Sequence, residues 1–222
     1  MKSHKITFRG KTIYLLGTIK GLTVERQTVA KAFKRYKPDV IALSVSEEDL
    51  VGLESVVKGK TKEVGLSRYE EVYARKLAAI AKDDPDKYGE VQVPPPALVE
   101  GFELGRDNNV PVVAFDMDEN LFTDSFVENI TTTQLIWHSV RFNRVRKRKF
   151  KAKTPEEFVI EWDQVLTKLK GFKNLENKRE DFMAKRLLEI TNKYDKILAV
   201  AELERVEGIS EKIKTLIKSH GI

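Results

Sequence analysis

Ile13-Tyr-Leu-Leu-Gly-Thr-Ile-Lys-Gly-Leu22 opens as an apolar run, breaks at Gly17-Thr18 and reaches Lys20 just before a helix-like pattern begins near Thr23. The order reads as a buried strand, a tight turn and a helix start. In an α/β sheet such a turn lies at the carboxyl end of its strand, where ligands bind. Upstream, Lys5–Arg9 and Thr12–Leu16 flank Gly10-Lys11, which predicts a hairpin with a two-residue turn. Downstream, Val24, Val29, Ala32, Phe33 and Tyr36 form the apolar stripe of a helix over 24–36. Pro38-Asp39 stops that helix, and Val40-Ile-Ala-Leu43 follows as a buried strand.

The same alternation continues. Helices are expected over 47–57 and, from a Ser67-Arg-Tyr-Glu70 capping box, to Ala81, with a polar loop at 58–62 between them. Asp83 to Pro96 is turn-rich, ending extended at Pro94-Pro-Pro96. A helix through Gly101 to Asn108 precedes the third buried strand, Val112-Val-Ala-Phe115, and Thr123 or Asp124 would cap a helix reaching Arg141. Thr154-Pro155-Glu-Glu157 starts a helix to Lys170, a second runs from Asn174 to Lys193, Lys196–Ala201 is the last strand, and Ile209–Ser219 a closing helix. Strands alternating with amphipathic helices predict an α/β fold: a mainly parallel or mixed sheet flanked by helices. We read residues 1–222 as one domain, a basic segment near 141–153 linking the first part to a helical region over 154–193.

Composition narrows the chemistry. The 222 residues contain no cysteine, which excludes disulfides, thiol nucleophiles and Cys-ligated zinc. His4, His138 and His220 are the only histidines, too few and too scattered for most histidine chemistry. Lys20, Asp116, Asp118, Glu202, Glu204 and Arg205 all stand at or just beyond the carboxyl ends of strands. No run approaches the ~20 apolar residues of a membrane helix, and no signal-peptide core follows Met1. A soluble, cytoplasmic protein with no membrane partner is the expectation. Net charge is +6, but 40 basic and 34 acidic residues are interleaved, as on the solvated Lys/Glu surfaces of thermophile-like proteins.

Arg144-Val-Arg-Lys-Arg-Lys-Phe-Lys151 is the strong charge block, and Arg144, Arg146, Lys147, Arg148 and Lys149 are the candidate nucleic-acid contacts, with Phe150 available for stacking. A basic helix end, suited to the helix dipole and followed by a solvated link, is the simpler explanation and the one we favour. A second nucleic-acid signal, Val206-Glu-Gly-Ile-Ser-Glu-Lys-Ile-Lys214, has some likeness to a helix-hairpin-helix loop, but carries Ser210 where a second glycine is usual.

Leu16-Gly-Thr-Ile-Lys20, Pro38-Asp-Val-Ile-Ala-Leu43, Val112-Val-Ala-Phe-Asp-Met-Asp118, Lys178-Arg-Glu-Asp-Phe-Met-Ala184, Ile197-Leu-Ala-Val-Ala201 and Arg205-Val-Glu-Gly-Ile209 follow one another in a characteristic order. The series resembles the TraB/PrgY family, related to the Tiki-type and erythromycin-esterase/ChaN-like folds, over almost the whole chain. The resemblance implies a metal site with histidines in Gly-Thr-x-His and Gly-x-x-His motifs, a glutamate after the second strand and Asp-Arg-Asp after the third. In this chain Lys20 and Arg205 stand where those histidines belong, Ser44 replaces the glutamate, and Met117 replaces the arginine between Asp116 and Asp118. Glu202 falls on the glycine of the second motif, while Arg179 keeps its family position.

Imidazole offers a lone pair to a metal; ammonium and guanidinium only donate. A unit charge about 4 Å from another, at an effective dielectric of ~20, feels roughly 4 kcal/mol, which is repulsion where a cation faces a metal ion. The expectation is therefore a chain without the family's metal or any cofactor, acting through binding, assembly or regulation. Gly17, Thr18, Lys20, Arg179 and Arg205 are its candidate anion-binding residues, and a matched salt-bridge network is the favoured account of the cluster. Two alternatives stand beside it: a hydrolase using Asp116, Asp118, Glu202 and Glu204, with Mg²⁺ or Mn²⁺, and nucleic-acid binding through the basic segment. Self-association, as a homodimer, is expected from the large apolar residues on the helix over 154–170.

Overall fold

β1 (Lys2–Phe8) and β2 (Lys11–Thr18) form the expected antiparallel hairpin, paired from Lys2↔Gly17 to Phe8↔Lys11. The computed structural model describes residues 2–59 and 67–219. The hairpin turn is Arg9-Gly10 rather than Gly10-Lys11, with φ of 42° and 79°. Two positive φ angles make the mirror-image turn whose twist matches that of paired strands, so Lys11 enters the ladder. α1 (Glu25–Tyr36) then leads to β3 (Val40–Leu43), and β4 (Val112–Ala114) and β5 (Lys196–Glu202) complete the sheet.

The strand order is β1-β2-β5-β3-β4, with β2–β5, β5–β3 and β3–β4 parallel and only the β1 edge antiparallel. The protein is thus α/β, with a mixed, mostly parallel sheet. The last strand in sequence is the central one. Because four strands share a direction, Thr18, Leu43, Ala114 and Glu202 end at the same edge.

Alternate strand residues face opposite layers. Ile13, Leu15, Ala42, Ile197 and Ala199 meet α9 (Lys170–Ile190) and α10 (Val206–Ser219) through Met183, Leu187, Ile209 and Ile213. Leu16, Ile41, Leu43, Leu198 and Val200 meet α1, α2 (Glu47–Val57) and α5 (Pro96–Asn108). At Gly101 an added Cβ would lie 2.8 Å from Leu43 Cδ2, so α5 packs against β3 closely enough to favour glycine. A third cluster forms from α3 (Arg68–Ala81), α7 (Thr132–Lys147) and α8 (Pro155–Leu166), packed on Ile19, Leu22 and Leu203 just beyond the strand ends. That cluster roofs the edge where the strands stop.

Several boundaries differ from expectation for local reasons. Asp118, not Thr123 or Asp124, starts α6 (Glu119–Asn129), its carboxylate accepting the Leu121 N–H at 2.8 Å. Ile130-Thr131 breaks the predicted single helix, and Thr131 caps α7 through the Gln134 N–H at 3.3 Å. α8 ends at Leu166 instead of Lys170, where Thr167 Oγ1 donates back to the Asp163 carbonyl at 2.9 Å. α9 begins at Lys170 rather than Asn174, and α10 begins at Val206. Val206–Lys214 is therefore continuous helix, and no hairpin is present there. α4 (Pro85–Tyr88) is a single turn. Part of the loop expected at 58–62, and His220, lie outside the described residues.

The apolar face of α8 does not await a partner: Phe158, Val159, Trp162 and Leu166 are buried within the chain. Exposed apolar side chains gather instead on α6 and α7, where Val127, Ile136 and Trp137 are 73%, 62% and 57% exposed. No helix of the described residues is long and apolar enough to cross a membrane.

Candidate functional site

The carboxyl edge of the sheet opens into a cavity of about 700 Å³ whose lining includes Thr18, Lys20, Ser44, Asp116, Arg179 and Glu202. Each arrives there by its strand. Thr18 ends β2 and donates to the Ala201 carbonyl at 3.3 Å; Ser44 follows β3, its N–H bonded to the Val200 carbonyl at 3.0 Å. Asp116 follows β4, its N–H on the Val45 carbonyl at 3.1 Å, and the Leu203 N–H reaches back to the Thr18 carbonyl at 2.9 Å. The strand ends are thus laced together.

Lys20 sits in a turn fixed from below. The buried Glu25 carboxylate accepts the Ile19 N–H at 3.0 Å, and Gly21, at φ 103°, supplies a left-handed bend that favours glycine. The lysine side chain stands at the exposed rim, Nζ 3.0 Å from Glu70 of α3. Burial works against the Glu70 charge, but Lys20 and the Ser67 capping bonds together hold its carboxyl below the ordinary range.

The floor is different. Arg179, from α9, grips Asp116 with Nε 3.0 Å from both carboxylate oxygens and Nη2 on Oδ2, and places Nη2 3.4 Å from Glu202 and Nη1 3.6 Å from Glu176. Arg205 lies behind this floor and does not line the cavity. Its Nη2 pairs with Asp163, and its Nη1 stands 3.4 Å from Glu176 and 3.3 Å from Glu180. Glu176 bridges the two guanidinium groups. Gly208 makes room, since a Cβ there would meet Glu180 Oε2 at 2.1 Å.

Charges in this network do not match in number, contrary to expectation. Two guanidinium groups touch five carboxylates, those of Asp116, Asp163, Glu176, Glu180 and Glu202. Glu204 adds a sixth nearby. Some of that excess is carried as bound protons. Desolvation, aided by the neighbouring Glu202 charge, pushes the Glu204 carboxyl up to about 8. Desolvation raises Glu180 to about 7, with Lys212 offsetting part of it, and raises Glu176 as well. Burial opposes the charge on Arg179, yet Glu202 and Asp116 hold its pKa well above the usual value. Burial draws Arg205 down to about 10, which leaves it charged at neutral pH.

The sequence candidates therefore divide. Thr18, Lys20, Asp116, Asp118, Arg179 and Glu202 share the cavity; Gly17, Glu204 and Arg205 do not line it. Asp118 is a helix cap and Asp116 is held by Arg179, so neither is a free acid or base. Arg205 and Lys20 form no anion clamp, because one is buried behind the floor and the other is paired at the rim. Glu70, Asp163, Glu176 and Glu180 are the partners that sequence reasoning missed. A signal existed for Glu180, which lies in register with Met183, Ala184 and Leu187 on the buried stripe of α9. An acid on an apolar stripe requires a cation nearby.

The donor set does not suit the metal that the resemblance implies. The two positions expected to carry imidazole carry paired cations, and among the described residues no group of three or more His, Asp or Glu side chains is placed to hold an ion. His138 stacks on Phe172 at 4.1 Å, with its pKa lowered by burial, and His4 faces Glu207 at 3.6 Å.

The basic segment is structural in part. Arg148 pairs with Glu161 at 2.6 Å, and Glu161 also accepts the Lys151 and Ala152 N–H groups. Phe150 packs edge-on to Phe158 at 5.0 Å, with Lys76 and Arg148 over its ring, so it is not offered to a base. Arg144, Lys147 and Lys149 remain exposed, and Arg146 is half-buried.

No family model matches the chain, and no curated protein matches it significantly.

Proposed function

We propose that the chain is a TraB-like scaffold that has given up metal-dependent hydrolysis and works by binding, as a soluble, cytoplasmic homodimer. One observation carries this reading. Lys20 and Arg205, the residues at the two expected histidine positions, are each engaged by carboxylates, Lys20 by Glu70 and Arg205 by Asp163, Glu176 and Glu180. Neither can lend an electron pair while so protonated and paired. The roofed cavity persists, a concave, mostly pre-formed space of the size that small-molecule sites have. Such a space can bind a ligand even where neither of these two positions can hold a metal ion.

Calorimetric titration with Zn²⁺, Mn²⁺ and Mg²⁺, with metal analysis of the purified protein, tests the reading. No uptake near millimolar concentration is expected. Stoichiometric uptake abolished by Glu202→Gln would overturn it. The exposed apolar side chains of α6 and α7 support the dimer. Light scattering should give twice the chain mass for the native protein and the chain mass for an Ile136→Glu, Trp137→Glu variant; a native monomer at high concentration removes the dimer.

A further inference from the structure

The cavity reads as a site for one charge sign. Among the described residues seven carboxylates and two cations line it, on a chain whose overall charge is +6. Lys20 and Arg179, the two cations, are already bound to acids. Helix amino termini also open here, among them those of α2, α5 and α6, features that attract anions elsewhere. Those of α2 and α6 are closed from within: Ser46 accepts the Asp49 N–H at 3.0 Å, Asp118 accepts the Leu121 N–H, and Glu48, Asp49 and Glu119 fill the first turns. That of α5 begins at Pro96, which has no N–H to offer, and its Leu98 N–H is taken by the Pro95 carbonyl at 3.0 Å. At α2 and α6 an incoming anion would meet those carboxylates before any donor.

The floor offers the opposite. Glu202 Oε2 is buried with no hydrogen-bond partner among the described residues, and the other oxygen of the same carboxylate faces Arg179 at 3.4 Å. Tyr73 and Phe122 stand among the apolar wall residues, and aromatic faces attract cations. Burial keeps the Tyr73 phenol neutral far above physiological pH. The volume also speaks to size, since at about 30 Å³ per water it would hold on the order of twenty waters, far more than a bare ion needs. The carboxylates are dispersed around that space rather than gathered as a metal shell.

We propose that the cavity binds an organic cation, an amine or guanidinium on an apolar stem, with Glu202 taking the charge and the apolar wall covering the stem. This rests on the binding reading above and gives it a ligand class. The Glu202 carboxylate, part-exposed at the cavity floor, is a counter-charge that a ligand cation can approach, and the rim acids raise its local concentration. Paired carboxylates and an aromatic wall would hold a neutral or anionic analogue of the same length less well.

Agmatine and spermidine serve as cationic probes, with hexanoate and citrate as anionic ones, each titrated calorimetrically into the full chain. The expected result is saturable binding of the amines, weakening as salt rises from 50 to about 300 mM, and none of the anions. Glu202→Gln should weaken amine binding about tenfold. Because that change also touches the Arg179 network, a second variant, Glu48→Gln with Asp49→Asn, alters only exposed rim acids and should weaken binding about threefold. Anions binding in preference to amines would overturn the assignment while leaving a binding cavity in place. Amine affinity unchanged in both variants, or no binding of any probe, overturns it too. Stoichiometric metal uptake in the earlier titration would instead strike the parent reading.

Discussion

The turns after β2 and after β5 present the same departure, a cation in place of an expected histidine, in two physical settings. Lys20 stands at the rim with its side chain 46% exposed and one partner; Arg205 is 9% exposed and touches three carboxylates. Exposed pairs contribute roughly 0–1 kcal/mol, whereas removing one member of a buried pair costs about 3–5 kcal/mol because the other is left uncompensated. Identical sequence logic therefore yields opposite energetic weights. Arg205 belongs to the architecture, joining α8, α9 and the start of α10; Lys20 belongs to the mouth of the cavity.

Removing Arg205 is the strongest way to test that contrast. Arg205→Ala should lower unfolding stability by about 3–5 kcal/mol in denaturant titrations. The loss should shrink as pH falls toward 5, since Glu176 and Glu180 already lean toward protonation and can become neutral without their cation. A loss under 1 kcal/mol, flat with pH, would place Arg205 in the same class as Lys20.

The excess acids behind the floor predict a second, intermediate effect. Glu180 and Glu204 have folded-state constants of about 7 and about 8 against an ordinary 4.5. The folded chain therefore binds their protons more tightly than the unfolded chain does. Their contribution is fully present below pH 4.5 and is lost as pH rises through 7 and then 8. Each unit of that interval corresponds to at most about 1.4 kcal/mol per group. Thermal denaturation should show stability declining from about pH 5 to about pH 8.5, and Glu204→Gln should flatten the upper part of that slope. A wild-type profile that instead rises over the same interval would show that these carboxylates ionise freely.

The contrast also marks what the residues alone could reveal. Val40–Leu43, the Ser67–Glu70 capping box and Pro155 after Thr154 are legible because local chemistry decides them: a buried apolar run, a reciprocal pair of hydrogen bonds and a fixed φ. The mixed sheet followed from alternation, yet the insertion of β5 between β2 and β3 did not, since strand order is settled by which faces find α9 and α10. Asp118 is hidden as a cap because Thr123 and Asp124 offer the same chemistry a few residues on, and Thr131 because the apolar Phe126, Val127, Leu135 and Ile136 on either side suggest one uninterrupted helix. At the site, Lys20 and Arg205 were visible as cations, but their partners lie 50 residues away for Lys20, and 42 and 25 residues away for Asp163 and Glu180. No local pattern joins Asp163 to Arg205. Burial, which separates the structural cation from the accessible one, depends on α8 and α9 bringing Asp163, Glu176 and Glu180 around Arg205.

Lys20 gives the smallest effect and the sharpest check on the division. Lys20→Ala removes one ion pair at 3.0 Å between groups 46% and 37% exposed, and Glu70 keeps its capping bond to Ser67. Stability should change by less than about 1 kcal/mol, and that difference from the wild type should shrink as salt is added. Amine binding should strengthen modestly, because Glu70 is freed and a competing positive charge leaves the mouth. Both readouts follow from a rim position, and only the second follows from an acidic cavity. If Lys20→Ala instead weakens amine binding while stability holds, the lysine positions Glu70 for the ligand, and the charge on the mouth matters less than its shape.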